Sequence, residues 1–193
     1  MKFLKYILLL LILLVGLFFI MGFVTPAVDY GHEIKVNKSI EEAWAVSQDE
    51  AKYPQWLKGF KSMELLSGER AKVGSTYKVI VNPGEGQEDF EMLETLESIK
   101  ENEHVKMHFD SDVMDFKQTI SFSENNGETT IKSESQVMGK NIMMKSMFAL
   151  MEMFTNSFQK QEQENFDNLK KVINENTTNY FPEPVLKEMS AEQ

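Results

Sequence analysis

The sequence predicts an α+β domain behind a membrane anchor. The expected parts are one seven-stranded antiparallel sheet, two short helices, a long C-terminal helix and one N-terminal transmembrane helix. Three patterns carry this expectation. Tyr6–Val24 is a run of nineteen residues without a charge. Between residues 60 and 138 apolar side chains alternate with polar ones, which is the period of half-buried strands. From 141 to 174 apolar residues return at spacings of three, four and eight, which fits one face of a helix.

A helix rises about 1.5 Å per residue, so the uncharged run reaches roughly 28 Å, close to the hydrocarbon thickness of a bilayer. A signal-peptide core is usually only about 7–15 residues. Thr25-Pro26-Ala27 is also a poor cleavage site, because Pro26 sits directly before Ala27. Residues 1–28 are therefore expected to remain as an uncleaved signal-anchor, with membrane contact through residues 6–24. Lys2 and Lys5 precede the run, and no basic residue lies in the short segment Thr25–Asp29 after it. The positive-inside rule then puts the N-terminus in the cytoplasm. The domain (29–176) and tail (177–193) fall outside, as in a single-pass protein of the cell envelope.

Beyond residue 28 the chain holds 18 basic and 30 acidic residues, a net charge of −12. Such a surface repels phosphate backbones and anionic head groups, so neither a nucleic-acid partner nor a basic lipid-docking patch is expected. The absence of cysteine excludes thiol catalysis and cysteine metal sites. About 165 residues suffice for one domain with a real core.

Gly31–Asn37 alternates as a strand. Ser39 followed three residues later by Glu42 is a capping box, which predicts a helix over 39–47. A second short helix is expected around 49–57, bearing Tyr53 and Trp56. Six more strands follow at about 60–66, 73–81, 88–99, 105–110, 114–122 and 129–137. They are separated by turn signals such as Asn82-Pro83-Gly84 and Asn125-Asn126-Gly127. Short loops between consecutive strands predict an antiparallel meander. Residues 141–174 contain no Pro or Gly and read as one long helix. The tail 177–193 has two prolines and no period, so it is expected to be extended or disordered.

Two segments resemble a known superfamily. One is HEIKVNKSIEEAWAVSQDEAKYPQWLKGF, with Trp44 late in the first helix and Tyr53-Pro54-x-Trp56 before the second strand. The other is the GSTYKVIV strand ending in a Pro-Gly turn. With the element order, these are similar to the START-like or SRPBCC superfamily, the helix-grip fold. It includes polyketide cyclase/dehydrase-like proteins, the birch-pollen-allergen family and steroidogenic lipid-transfer domains. The resemblance covers about residues 31–174. It implies a long helix lying across a curved sheet around a cavity, usually for an apolar ligand. It is weak for function, because binding proteins, transfer proteins and enzymes share the fold.

The residues bear on such a cavity in three ways. Met143, Met144, Met147, Met151 and Met153 crowd the long helix, either as a flexible ligand-fitting surface or as core filler. The phase of Ile131 and Val137 turns Ser133 and Ser135 inward, and Phe116 and Ile120 bracket Gln118. Polar residues there leave room and need partners, unless a one-residue bulge turns them outward. Trp44, Trp56, Phe60, Tyr77 and Phe109 can face the gap between helix and sheet. The expected ligand wall is completed by Met92, Met107, Phe116, Met147, Met151 and Phe154, and the polar end of the ligand by Gln118, Ser133 and Ser135.

Catalytic signals are sparse. Glu94 shares a strand face with Phe90, Met92 and Leu96. An inward glutamate in an apolar cleft is a candidate acid or base, whereas a bulge would send it to solvent. Tyr77 is the second candidate. The three histidines lack metal-ligand spacing, with His32 and His104 near turns and His108 facing away from the cavity, so no metal is expected. The glycines of NPGEGQ precede no helix, so no phosphate loop and no cofactor are expected. The favoured reading is an anchored domain that binds a small hydrophobic ligand or lipid. A cyclase- or dehydratase-type enzyme and a non-catalytic envelope interaction module are the alternatives. Whether the chain catalyses anything, and which proteins it meets, the sequence leaves open.

Overall fold

A computed structural model describes residues 2–84 and 86–182. Helix α1 (Lys2–Val24) is, by length and composition, the one candidate membrane span among the described residues. Its side chains are exposed almost throughout; only Phe18, Met21 and Gly22 are covered. Two residues, Thr25 and Pro26, separate it from the first strand, β1 (Ala27–Tyr30).

Strands β1 and β2 (Glu33–Val36) both pair antiparallel with the last strand, β8 (Glu128–Gly139). The sheet therefore has eight strands, one more than the seven expected. The single strand expected over 31–37 is β2 alone, with β1 placed before it by a step at Gly31. A Cβ at Gly31 would lie 2.3 Å from the carbonyl oxygen of Ser133. The Ser133 hydroxyl and amide hold the His32 backbone at 2.9 and 2.8 Å. The meander follows as expected: β3 (Phe60–Ser67), β4 (Thr76–Val81), β5 (Phe90–Lys100), β6 (His104–Asp110) and β7 (Met114–Asn125) join β8 by successive antiparallel pairings.

Helix α2 (Ile40–Gln48) starts on Ser39, whose Oγ accepts from the Glu42 amide at 3.3 Å. The Glu42 carboxylate pairs with Lys38 at 2.8 Å, and the amide after the cap, that of Ile40, donates to Glu124 at 2.9 Å. The helix expected at 49–57 is a 3-10 turn (Glu50–Lys52) followed by the single turn α3 (Tyr53–Trp56).

The long helix expected over 141–174 is two helices, α4 (Ile142–Thr155) and α5 (Ser157–Asn174). They meet at Asn156, which is left-handed at φ 49° and ψ 45°. Asparagine is among the few residues besides glycine that take this conformation at modest cost. The turn is held by Glu152, whose carbonyl accepts from the Asn156 amide at 2.9 Å and whose carboxylate accepts from the Phe158 amide at 2.9 Å.

Helix α5 lies across the sheet. Its Phe166, Leu169 and Ile173 are fully buried in the main core with Ile34, Val36, Trp44, Phe122 and Ile131. Helix α4 instead packs on α1, β1 and β8, with Phe148 against Val28 and Val137. Of the predicted tail, Tyr180 donates to Asp49 at 2.6 Å, and the residues beyond Pro182 lie outside the described ones.

Candidate functional site

Period-two burial fixes what the inner face of the sheet presents. Register places Glu94 beside Phe109, and Phe109 beside Phe116, in one cross-strand row. The next row runs Leu96, Met107, Gln118, Ser135. Where α5 passes over these rows it contributes Phe158, Gln161, Glu162 and Asn165 rather than a continuous apolar ridge. A cavity of about 230 Å³ remains beneath it.

The walls are mostly apolar and aromatic. Trp56, Phe60, Met92, Met107, Phe109, Phe116 and Gln118 of the expected ligand wall line it, as does Glu94. Tyr30, Tyr53 and Phe158 add further rings. Phe109 stacks on Phe116 with centroids 5.2 Å apart, and Tyr30 bridges Phe116 and Phe158 at 6.4 and 5.6 Å.

Two carboxyl groups enter this space. Glu94 is 6% exposed. A register shift does occur in β5, but it falls between Leu96 and Ser98, after Glu94, so the carboxyl stays inward. Burial, and then the charge of Glu50, pushes it up to about 7. Glu162, on α5, is also buried. It accepts from the Gln118 amide at 2.9 and 3.2 Å and from the Ser135 hydroxyl at 2.9 Å. Burial foremost, with help from Glu162, holds the Tyr30 phenol protonated well above its ordinary range. Burial and then Glu94 do the same for Tyr53. Among the described residues Lys58 is the one cation on the cavity wall, and its ammonium is paired with Glu164 at 2.7 Å. The indole N–H of Trp56 is buried without a partner.

The remaining expected wall residues lie elsewhere. Trp44 is in the main core against Phe122. Tyr77 is buried, and its hydroxyl accepts from the Ala71 amide at 3.0 Å, which ties it to the β3–β4 loop. Ser133 points inward but serves the His32 backbone, and Ser135 reaches the cavity through the wall residues Gln118, from which its hydroxyl accepts at 3.2 Å, and Glu162, to which it donates at 2.9 Å. Met147, Met151 and Phe154 sit on α4, beyond the Asn156 break, and are exposed. The break rotates them out of the face that grips the sheet. The sequence reading missed Glu162, Tyr30 and Phe158. The sign that could have found Glu162 is the inward pair Gln118 and Ser135, which needs a buried partner.

Sequence and structure comparisons bear on this geometry. The model of the family described as polyketide cyclase/dehydrase and lipid transport matches residues 28–174. No curated protein matches the chain. Among solved structures, Ara h 8.0201 superposes with a TM-score of 0.60 at 13% identity, covering 78% of this chain and 99% of its own. A protein of Thermus thermophilus gives 0.61 at 14% identity, covering 76% and 97%. The di-domain ARO/CYC BexL of the BE-7585A biosynthetic pathway gives 0.57 at 12%, covering 80% of this chain and 52% of its own. At these identities the likeness is one of fold.

Proposed function

The chain belongs to the polyketide cyclase/dehydrase and lipid transport family, and on that premise we propose that it binds a small apolar or amphipathic molecule beneath α5 while held at a membrane by α1. The observation that carries this is the cavity itself: aromatic and aliphatic walls around two inward carboxyls, with the one wall lysine already paired. A filled core would have favoured a purely structural interaction module, and this core is not filled. The volume of about 230 Å³ is slightly below the roughly 300–1,000 Å³ of drug-sized pockets. It suits a slender molecule or one chain of a lipid.

The electrostatics narrow the ligand further. An anionic head group inside would face Glu94 and Glu162 with no free cation opposite among the described residues. A neutral hydroxyl or carbonyl, or a cationic amine, fits better. Glu94 can donate a hydrogen bond when protonated and accept one when ionised. The driving term is apolar burial, about 5 kcal/mol for each ~200 Å² taken from water. The test is native mass spectrometry of the full chain in detergent, with solvent extraction of whatever co-purifies. A neutral or cationic amphiphile should be released, and Met107→Trp, which fills the cavity, should abolish it. A wild-type chain that neither retains nor takes up such a molecule overturns the reading.

A second reading rests on Glu94 alone. A buried carboxyl titrating near neutrality beside an apolar ligand is suited to proton transfer in a cyclisation or dehydration. Once a ligand is identified, Glu94→Gln should abolish its turnover; full turnover by the variant removes this role. As for placement, Lys2 and Lys5 support a cytoplasmic N-terminus and an extracytoplasmic domain. A reporter fused after residue 182 should be active only on the extracytoplasmic side.

A further inference from the structure

Helix α4 carries apolar side chains outward as well as inward. Met143, Met147, Met151 and Phe154 recur at intervals of four, four and three on one face and are 51%, 37%, 38% and 75% exposed. The opposite face, with Ser146, Phe148 and Ala149, is buried against the protein. The two charged residues of α4, Lys145 and Glu152, lie away from the apolar stripe, and Glu152 is engaged by the Phe158 amide. A helix on a water-facing surface normally turns polar residues outward.

What lies next to the stripe identifies its occupant. The end of α1 packs on α4: a Cβ at Gly22 would lie 2.5 Å from the Ser146 hydroxyl and 2.8 Å from the Ile142 carbonyl oxygen. The covered part of α1 is confined to Phe18, Met21 and Gly22. At about 1.5 Å per residue, that contact lies within roughly 9 Å of the end of α1. Interfacial helices bury their apolar face about 5–10 Å into the boundary between head groups and acyl chains.

We propose that α4 is a membrane-docking helix, its Met143–Met147–Met151–Phe154 stripe seated in the outer boundary of the bilayer that α1 spans. The stripe bears no acidic residue, and the repulsion that the domain's net negative charge exerts on anionic head groups does not arise at a zwitterionic bilayer. Methionine and phenylalanine there adapt to an irregular lipid surface. On its inner face Phe148 packs edge-on against the cavity residue Phe158, with centroids 5.4 Å apart. Docking therefore brings that end of the cavity beside the lipid. The proposal depends on α1 spanning the membrane and not on the presence of a cavity ligand.

The chain has no cysteine, so single spin labels can be placed without background. Met143→Cys, Met147→Cys, Met151→Cys and Phe154→Cys are labelled in the full-length chain in vesicles of phosphatidylcholine. Ser123→Cys, on the exposed face of β7, is the reference. Power saturation compares accessibility to oxygen with accessibility to a water-soluble nickel chelate. All four α4 labels should favour oxygen, and the Ser123 label should favour nickel. Nickel-accessible α4 labels in vesicles overturn the proposal. So does spin–spin broadening that vanishes on dilution with unlabelled chain, since a second copy would then cover the stripe. Retention after alkaline carbonate washing verifies insertion of α1 in the same vesicles, and each variant is first checked for wild-type thermal unfolding.

Discussion

Replacing Glu94 by glutamine should change the way the stability of the domain depends on pH. The carboxyl titrates at 4.5 in an open chain and near 7 in the fold, because burial disfavours its charged form. Below pH 4.5 it is protonated in both states and costs nothing. As pH rises from 4.5 towards 7, the unfolded chain releases the proton while the folded chain keeps it, so stability falls. At about 1.36 kcal/mol per pH unit the loss reaches about 3 kcal/mol by pH 7 and levels off above. The group is 6% exposed, so screening by solvent removes little of this. For a domain of about 150 residues, that is a shift of roughly 6–12 °C in Tm. Glu94→Gln keeps the shape and loses the titration. The variant should match the wild type near pH 4.5 and exceed it by about 3 kcal/mol at pH 7.5. Both tryptophans, Trp44 and Trp56, are buried in the domain, so their fluorescence follows its unfolding by urea in non-ionic detergent without signal from α1. The difference between the two chains cancels every other titrating group. Parallel stability curves from pH 4.5 to 8 would refute the buried, unpaired state of Glu94.

Three further outcomes follow from single contacts, each read by thermal or urea unfolding in detergent. Gln118→Leu strips two of the three hydrogen bonds from Glu162 and should cost about 2 kcal/mol, part of it recovered in Gln118→Leu/Glu162→Leu, where no charge is left stranded. Gly22→Val forces α1 from Ser146 and should cost about 1–3 kcal/mol, whereas Gly16→Ala, with nothing within 4 Å of its Cβ, should leave the midpoint unchanged or slightly raised. Asn156→Ala should lose about 1–2 kcal/mol for its left-handed backbone, and Asn156→Gly should restore most of it.

The meander was legible because strands β4 to β8 keep one inward row, and a one-residue slip would have turned that whole row to solvent; β3 shows only the half-buried Phe60, Met63 and Leu65, with register shifts at both ends. Ser39 marked the start of α2 through a local hydrogen bond that needs no tertiary context. Strand β1 was hidden because only Val28 and Tyr30 signal it, between the anchor and the step at Gly31. The step itself is dictated by a close backbone approach from Ser133, 102 residues away in the chain, which no local pattern shows. The break at Asn156 was missed for a different reason. Apolar spacing runs through it unchanged from Phe154 to Phe158, yet the helix phase resets there, leaving Phe154 in the open and Phe158 in the cavity wall. Glu94 was readable as inward only on the assumption of regular register, and the bulge that could have turned it out lies just past it. Glu162 was not readable at all, because a buried glutamate within a polar run of a helix looks like its solvated neighbours until the sheet beneath it is in place.

The junction of α1 and β1 sets the domain's radius of action. Two residues of extended chain span at most about 7 Å, and β1 is itself hydrogen-bonded into the sheet. With α1 in a bilayer, the domain cannot swing on a leash or commute to a facing membrane; it travels only by lateral diffusion. Under the proposed function, a ligand would then have to arrive and leave on legs of its own, from the same leaflet or by way of a visiting carrier. Any pull on the helix would be felt at once along β8, the strand on which β1, β2 and β7 all hang.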